Sequence, residues 1–94
     1  MADTITQSII SEETKARLFP RYAVILHNDD VHDVLYVMRS LQKAIPGLQN
    51  AEEIVIETDR EGRAIVIICV KEIAELYEDR IKTFGLIVSI EPAT

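Results

Sequence analysis

The spacing of apolar and polar residues predicts three strands after residue 20. Three runs have the length and the β-branched composition of strands, at residues 22–26, 63–70 and 86–91. The second run is apolar almost throughout, so we predict that it is the central strand, covered on both faces. In the third run Leu86, Val88 and Ile90 alternate with their neighbours, which is typical of a half-buried strand that stops at Pro92.

Between the first two strands, the apolar residues have helical spacing. One stripe at i, i+3, i+4, i+7 and i+11 consists of Val34, Val37, Met38, Leu41 and Ile45. Asp30 or Asp33 is placed to cap this helix at its N-terminus, and Pro46 ends it. A second, shorter helix follows, with Asn50 as a candidate cap.

A third helix is predicted over residues 71–84, with Gly85 as its left-handed terminator. The order β-α-α-β-α-β indicates a small α/β (α+β) open-faced sandwich, in which a three-stranded antiparallel sheet carries three helices on one face. Residues 1–20 show no sustained period and are predicted to form a flexible N-terminal arm, with one domain over residues 21–94.

Composition narrows the class of protein. The chain has 94 residues, enough for one domain, and 48% of them are hydrophobic, which excludes a disordered chain. A net charge of −6 disfavours nucleic acid as a partner, because phosphate binding needs a concentrated cationic surface. No apolar run reaches the ~18 residues of a membrane span, and the first residues resemble neither a secretory signal nor a transit peptide. We therefore expect a cytoplasmic protein that contacts neither membrane nor nucleic acid.

Residues 27–33, with the sequence HNDDVHD, are the densest group of candidate ligating side chains. A structural zinc site normally needs four ligands, and outside this group the chain adds no histidine and only Cys69. Cys69 lies in an apolar run and is expected to be a small buried hydrophobe. Neither a nucleophile–base pair nor phosphate-binding glycines are present, so we expect no enzyme, no metal and no cofactor. On spacing alone, the group predicts a strand-to-helix turn whose Asx side chains bind backbone N–H groups.

Four segments in order resemble one protein family. They are VILHNDD at residues 24–30, LQK at 41–43, EGRA at 61–64 and KEIAE at 71–75. This combination resembles the ClpS family, adaptors of bacteria and plastids that recognise destabilising N-terminal residues and deliver substrates to the AAA+ unfoldase of the Clp protease. The resemblance covers residues 21–93 and implies the same β-α-α-β-α-β fold, with no catalytic residue.

The resemblance also implies a site for an N-terminal residue. An α-ammonium group presents three N–H donors, so its site must offer acceptors. In the family the asparagine and the first aspartate supply them, which here are Asn28 and Asp29, while a family histidine aligns with Asp59. The positions that match the pocket for the first side chain are His32, Val34, Val37, Thr58 and Leu86.

Departures from the family pattern imply changed specificity. Val34 replaces a methionine at the pocket mouth, which predicts a wider entrance, and His32 replaces a small hydroxyl residue. On the surface implied to dock on the N-terminal domain of the unfoldase, Glu72 matches the family whereas Tyr77 replaces a lysine. The pattern favours a divergent paralogue, such as the second ClpS type of some cyanobacteria, in which the arm promotes substrate transfer.

Other interpretations stay open from the sequence. Asp59 can be a solvated residue before a turn, and Val37 and Leu86 can serve core packing. The chain can be an unfoldase-binding regulator that has lost binding of N-terminal residues. It can also be a protein-binding module that shares its fold with the C-terminal domain of the ribosomal stalk protein, although that domain lacks the Asn-Asp-Asp run.

Overall fold

A computed structural model describes residues 11–93 of the chain. The elements are α1 (Glu12–Leu18), β1 (Arg21–His27), α2 (Val34–Ala44), α3 (Ala51–Glu61), β2 (Arg63–Val70), α4 (Lys71–Lys82) and β3 (Val88–Pro92). From β1 onward this is the predicted order, and the predicted open-faced sandwich is confirmed. None of the helices in the described range is long and apolar enough to cross a membrane.

Helix α1 lies in the segment that was predicted to be a flexible arm. Its N-cap Ser11 accepts a hydrogen bond from the backbone N–H of Thr14, and none of its seven residues is buried. An isolated helix this short is marginal in water, because too few hydrogen bonds offset its nucleation. Residues 1–10 lie outside the described range, so the role of the arm stays a prediction.

The sheet has the order β2-β1-β3, with both pairs antiparallel. The prediction that residues 63–70 form the central strand is therefore wrong: β1 is central and β2 is an edge strand. A β-bulge explains the misleading apolar run, since the register passes from Ile25↔Ile65 to Val24↔Ile67 and leaves Val66 as the extra residue. Ala64 and Val66 face the helices on one side of the bulge, and Ile67 faces them on the other side. Even-numbered and odd-numbered positions of β2 therefore both carry apolar residues that face the helices. Ile65, Ile68 and Val70 of β2 are exposed.

The core lies between the sheet and helices α2, α3 and α4. Leu41 of α2 and Ile81 of α4 are fully buried there, against Val24 and Leu26 of the central strand. Asp33 caps α2 by accepting a hydrogen bond of 2.8 Å from the N–H of Tyr36. Helix α2 packs against α3 and α4, while α3 lies on β2 and α4 contacts all three strands.

A glycine ends one of the helices. Gly62 is the C-cap of α3 with a φ of 88°, a left-handed conformation that glycine adopts without steric cost. The predicted terminator Gly85 also has a positive φ, 82°, but the C-cap of α4 is Thr83, so Gly85 lies in the turn beyond the helix. Helix α4 ends at Lys82, earlier than the predicted Phe84, and β3 begins at Val88. Leu86, which was assigned to the third strand, therefore lies in the connection between them.

Candidate functional site

A cavity of about 60 Å³ opens where the loop after β1 meets the last turns of α3. Its lining combines polar side chains with a branched apolar base and contains no lysine or arginine. The lining residues are Leu26, His27, Asn28, Asp29, His32, Val34, Val37, Val55, Thr58 and Asp59. Seven of the eight residues implied for the amine site and the side-chain pocket therefore meet at one place, although they come from three segments of the chain.

Backbone hydrogen bonds bring these segments together. The N–H of Asn28 donates to the carbonyl of Gly62 over 3.0 Å, which ties the end of β1 to the end of α3. The left-handed Gly62 turns the chain out of α3 at this point. Asn28 therefore lies at the same cavity as Thr58 and Asp59, which come at least thirty positions later in the sequence.

Asp29 holds the loop in the predicted Asx turn. Its Oδ1 accepts hydrogen bonds of 2.9 Å from the backbone N–H groups of both Val31 and His32. The hydrogen bond from the His32 backbone N–H, helped by the imidazole and by the N–H of Val31, lowers the pKa of the Asp29 carboxyl against the opposing effect of burial. Asp29 is therefore a carboxylate at neutral pH. Its Oδ2, whose one hydrogen-bond partner among residues 11–93 is the imidazole of His32, keeps lone-pair capacity for a further donor.

The imidazole of His32 is held on its edge and on its face. Nδ1 lies 3.2 Å from Oδ2 of Asp29, and the ring stacks on Tyr36 with centroids 4.9 Å apart and an interplanar angle of 13°. The Tyr36 hydroxyl in turn donates to the carbonyl of Phe84 over 2.7 Å. Sequence reasoning missed Tyr36, because His32 precedes the N-cap Asp33 and the helical i, i+4 spacing does not apply to it.

The rest of the cavity lining is mainly apolar, and the hydroxyl of Thr58 within it already has a hydrogen-bond partner. Val37 and Val55 are buried in the core, and the buried hydroxyl of Thr58 donates to the carbonyl of Ile54 over 2.7 Å. Val34, at the start of α2, is 57% exposed. Sequence reasoning placed Val55 and Thr58 on one face of the predicted second helix but assigned only Thr58 to the pocket.

Asp59 and Asn28 carry side-chain acceptors that have no hydrogen-bond partner among residues 11–93. Both residues are exposed, and neither side chain makes a hydrogen bond or ion pair with any other residue of the range 11–93. Their oxygens are thus available to a donor that enters the cavity. Leu86, the remaining residue implied for the pocket, is 5% exposed in the core and does not line the cavity.

The two residues implied for unfoldase docking lie on α4, away from the cavity. Glu72 is exposed in the first turn and borders a shallow depression of about 210 Å³ together with Phe19 and Val70. Tyr77 is half-buried and packs against the core. No residue of α4 lines the cavity at the end of β1.

Neither metal nor thiol chemistry finds support in this part of the chain. Across residues 11–93, no three of the histidine, cysteine, aspartate and glutamate side chains are grouped so that they could hold a metal ion. Cys69 is half-buried in β2, and burial raises the pKa of its thiol despite the nearby charge of Arg21. The thiol is therefore mostly protonated at neutral pH and a poor nucleophile.

Comparison with known proteins gives a consistent result. The family model of the ATP-dependent Clp protease adaptor protein ClpS matches residues 17–89. The ClpS adapter protein of Synechococcus elongatus is 42% identical over 81 residues, covering 84% of this chain and 85% of that protein. The chloroplastic adapter CLPS1 of Arabidopsis thaliana is 40% identical over 78 residues, covering 81% of this chain and 49% of that protein.

Solved structures are also similar over most of the fold. One of them is Agrobacterium tumefaciens ClpS2 bound to L-phenylalaninamide, which superposes with a TM-score of 0.73 at 25% sequence identity. The match covers 79% of this chain and 98% of that one.

Proposed function

Because the chain belongs to the ClpS family of adaptors of the ATP-dependent Clp protease, we propose that it binds the N-terminal residue of substrate proteins and delivers them to a Clp AAA+ unfoldase. The α-ammonium group donates to Asn28, Asp29 and Asp59. The first side chain enters the cavity beside His32, Val34, Val37 and Thr58.

The observation that carries this proposal is the chemistry of the cavity lining. Side-chain oxygens of Asn28, Asp29 and Asp59 stand at one cavity whose base is apolar and whose lining lacks lysine and arginine. Such a site suits a ligand that has a cationic donor beside an apolar group. An N-terminal residue has this combination, and so does L-phenylalaninamide, the ligand of the similar ClpS2 structure.

Energetics set the expected affinity. Each hydrogen bond to a charged group contributes about 1.5–3 kcal/mol, and burial of an aliphatic side chain contributes about 1.5–3 kcal/mol. Association costs several kcal/mol in lost translational and rotational freedom. With three such hydrogen bonds, the upper end of this sum leaves about −8 kcal/mol, which corresponds to a micromolar Kd.

Calorimetric titration of the full chain with short peptides tests the proposal. The peptides begin with Leu, Ile, Val, Phe, Tyr or Trp, and each has an N-acetylated twin that lacks the ammonium group. At least one free peptide should bind with a micromolar Kd, and its acetylated twin at least about tenfold more weakly, since one charge-assisted hydrogen bond is worth about that factor. If no peptide binds, or if acetylation leaves Kd unchanged, the proposal is wrong.

A pair of variants locates the ammonium within the site. Asp59→Asn removes a carboxylate that lines the cavity and should weaken binding about tenfold. Asp30→Asn removes the same charge from an exposed residue that does not line the cavity, and should leave Kd within about twofold. Equal effects of the two substitutions would indicate general electrostatics instead of a site.

Asp59 also supports an alternative. The family places a histidine at this position, so the substitution is compatible with a regulator that docks on the unfoldase without binding N-terminal residues. Capture of an isolated unfoldase N-terminal domain by a chain that binds none of the peptides would select this alternative.

A further inference from the structure

We propose that His32 determines which first side chains the cavity accepts, as a fixed imidazole on one side of it that favours short aliphatic residues over aromatic ones. This inference rests on the proposed function, because the ligand is an N-terminal residue.

The position of the imidazole is fixed by neighbours on several sides. Asp29 holds Nδ1 at 3.2 Å, and Tyr36 covers one face of the ring. Gly85 adjoins the far edge of the ring, since a Cβ atom built on it would lie 3.4 Å from both Cε1 and Nε2. Rotation of the ring away from the cavity would therefore break both the charge-assisted hydrogen bond to Asp29 and the aromatic stack on Tyr36.

Asp29, the residue that holds the ring, is itself attached to the backbone. Its Oδ1 accepts from the N–H groups of Val31 and His32, and its side chain is only 9% exposed. The carboxylate cannot follow a displaced imidazole without leaving two N–H groups unsatisfied. This arrangement makes His32 part of a rigid unit instead of a flexible side chain at the cavity mouth.

The volume of the cavity limits the size of the first side chain that it can hold while the imidazole stays in place. A cavity of about 150 Å³ is known to hold one benzene ring, whereas this one has about 60 Å³. Among the other lining residues, Val37 and Val55 are buried in the core and the hydroxyl of Thr58 is bonded to Ile54, whereas Val34 is exposed at the mouth. A short branched side chain therefore fits with little rearrangement, while an aromatic side chain needs the imidazole to move.

Titration of the full chain with amino acid amides measures this preference. The probes are valinamide, leucinamide and phenylalaninamide, and the readout is the ratio of their Kd values. The wild-type chain should bind the better aliphatic amide at least tenfold more tightly than phenylalaninamide. In His32→Ser the ring is absent while the backbone N–H bonds to Asp29 remain possible, so this ratio should fall at least tenfold, mainly through tighter binding of phenylalaninamide.

Two further variants separate a role in selectivity from a role in folding. Tyr36→Ala removes the stack but keeps the imidazole, and should lower the ratio by a smaller factor. Arg39→Ser changes an exposed residue of α2 that does not line the cavity, and should leave the ratio unchanged. Because uniform loss of folded protein weakens all amides equally, a change in the ratio cannot arise from destabilisation alone.

The outcomes distinguish this inference from the proposed function. If amides bind but the wild-type chain prefers phenylalaninamide, or if His32→Ser keeps the wild-type ratio, the assignment to His32 is wrong and the proposed function stands. If neither the amides nor the free peptides bind, both are wrong.

Discussion

At the scale of single residues, Asp29 links stability to pH. Its pKa is lowered in the folded chain, mainly by the N–H of His32, so the ionised form stabilises the fold. This contribution is fully present above the unfolded pKa of about 3.9 and is lost as the pH falls through the lower folded value. We expect Asp29→Asn to lower the free energy of unfolding by about 1–2 kcal/mol at neutral pH, and by less at pH values below about 4.

Urea unfolding at a series of pH values from neutral downward measures this difference. Asp30→Asn is the control, because Asp30 is exposed and forms no hydrogen bond with another residue in the range 11–93. It should change the free energy of unfolding by less than about 0.5 kcal/mol throughout. A difference for Asp29→Asn that stays constant as the pH falls would contradict the role of its charge.

Residue chemistry near the site was partly readable from the sequence. The Asx turn was predictable, because the preference of aspartate for nearby backbone N–H groups is local. The stack of His32 on Tyr36 was not, since it depends on the angle at which the loop enters α2. Leu86 illustrates the opposite case: its alignment implied the pocket, but the early end of α4 places it in a connection that packs into the core.

At the scale of elements, the two N-caps offer a matched comparison. Asp33 bonds the N–H of Tyr36, whereas Asn50 at the start of α3 makes no side-chain capping bond. Asp33→Ala should therefore destabilise the fold by about 1 kcal/mol and lower Tm by about 4–8 °C. Asn50→Ala should cost clearly less, and thermal unfolding followed by circular dichroism measures both. Equal losses would mean that the observed capping bond contributes nothing.

Element types and order were predictable, because apolar periodicity reports which faces are buried. The position of β2 in the sheet was not, since the bulge at Val66 turns apolar residues at both even and odd positions toward the helices. Strand order is a property of pairing between distant segments, and the periodicity of one segment does not contain it.

At the scale of the whole molecule, the cavity and the proposed docking surface are separate. The cavity lies at the end of β1, and Glu72 lies at the start of α4, outside its lining. We expect Glu72→Arg to weaken binding to an isolated unfoldase N-terminal domain at least tenfold, because it reverses the sign of a charge at the proposed docking surface. Its affinity for N-terminal amides should be unchanged.

Surface plasmon resonance on the immobilised domain measures the docking step. Glu53→Arg, an exposed charge reversal in the first turn of α3, is the control and should dock like the wild-type chain. Comparable loss in the two variants would show that net charge, and not the start of α4, governs docking.

The edge position of β2 carries a risk for the folded chain. Residues 64–70 form a run without proline or charge, and their outer backbone groups lie at the border of the sheet. Exposed edge segments of this kind pair with strands of other copies of the chain, and they can start fibrils when the segment unfolds locally. Arg63 and Lys71, at its two ends, act as gatekeepers against such growth. Variants with a weakened core should therefore aggregate before their affinity for N-terminal residues declines.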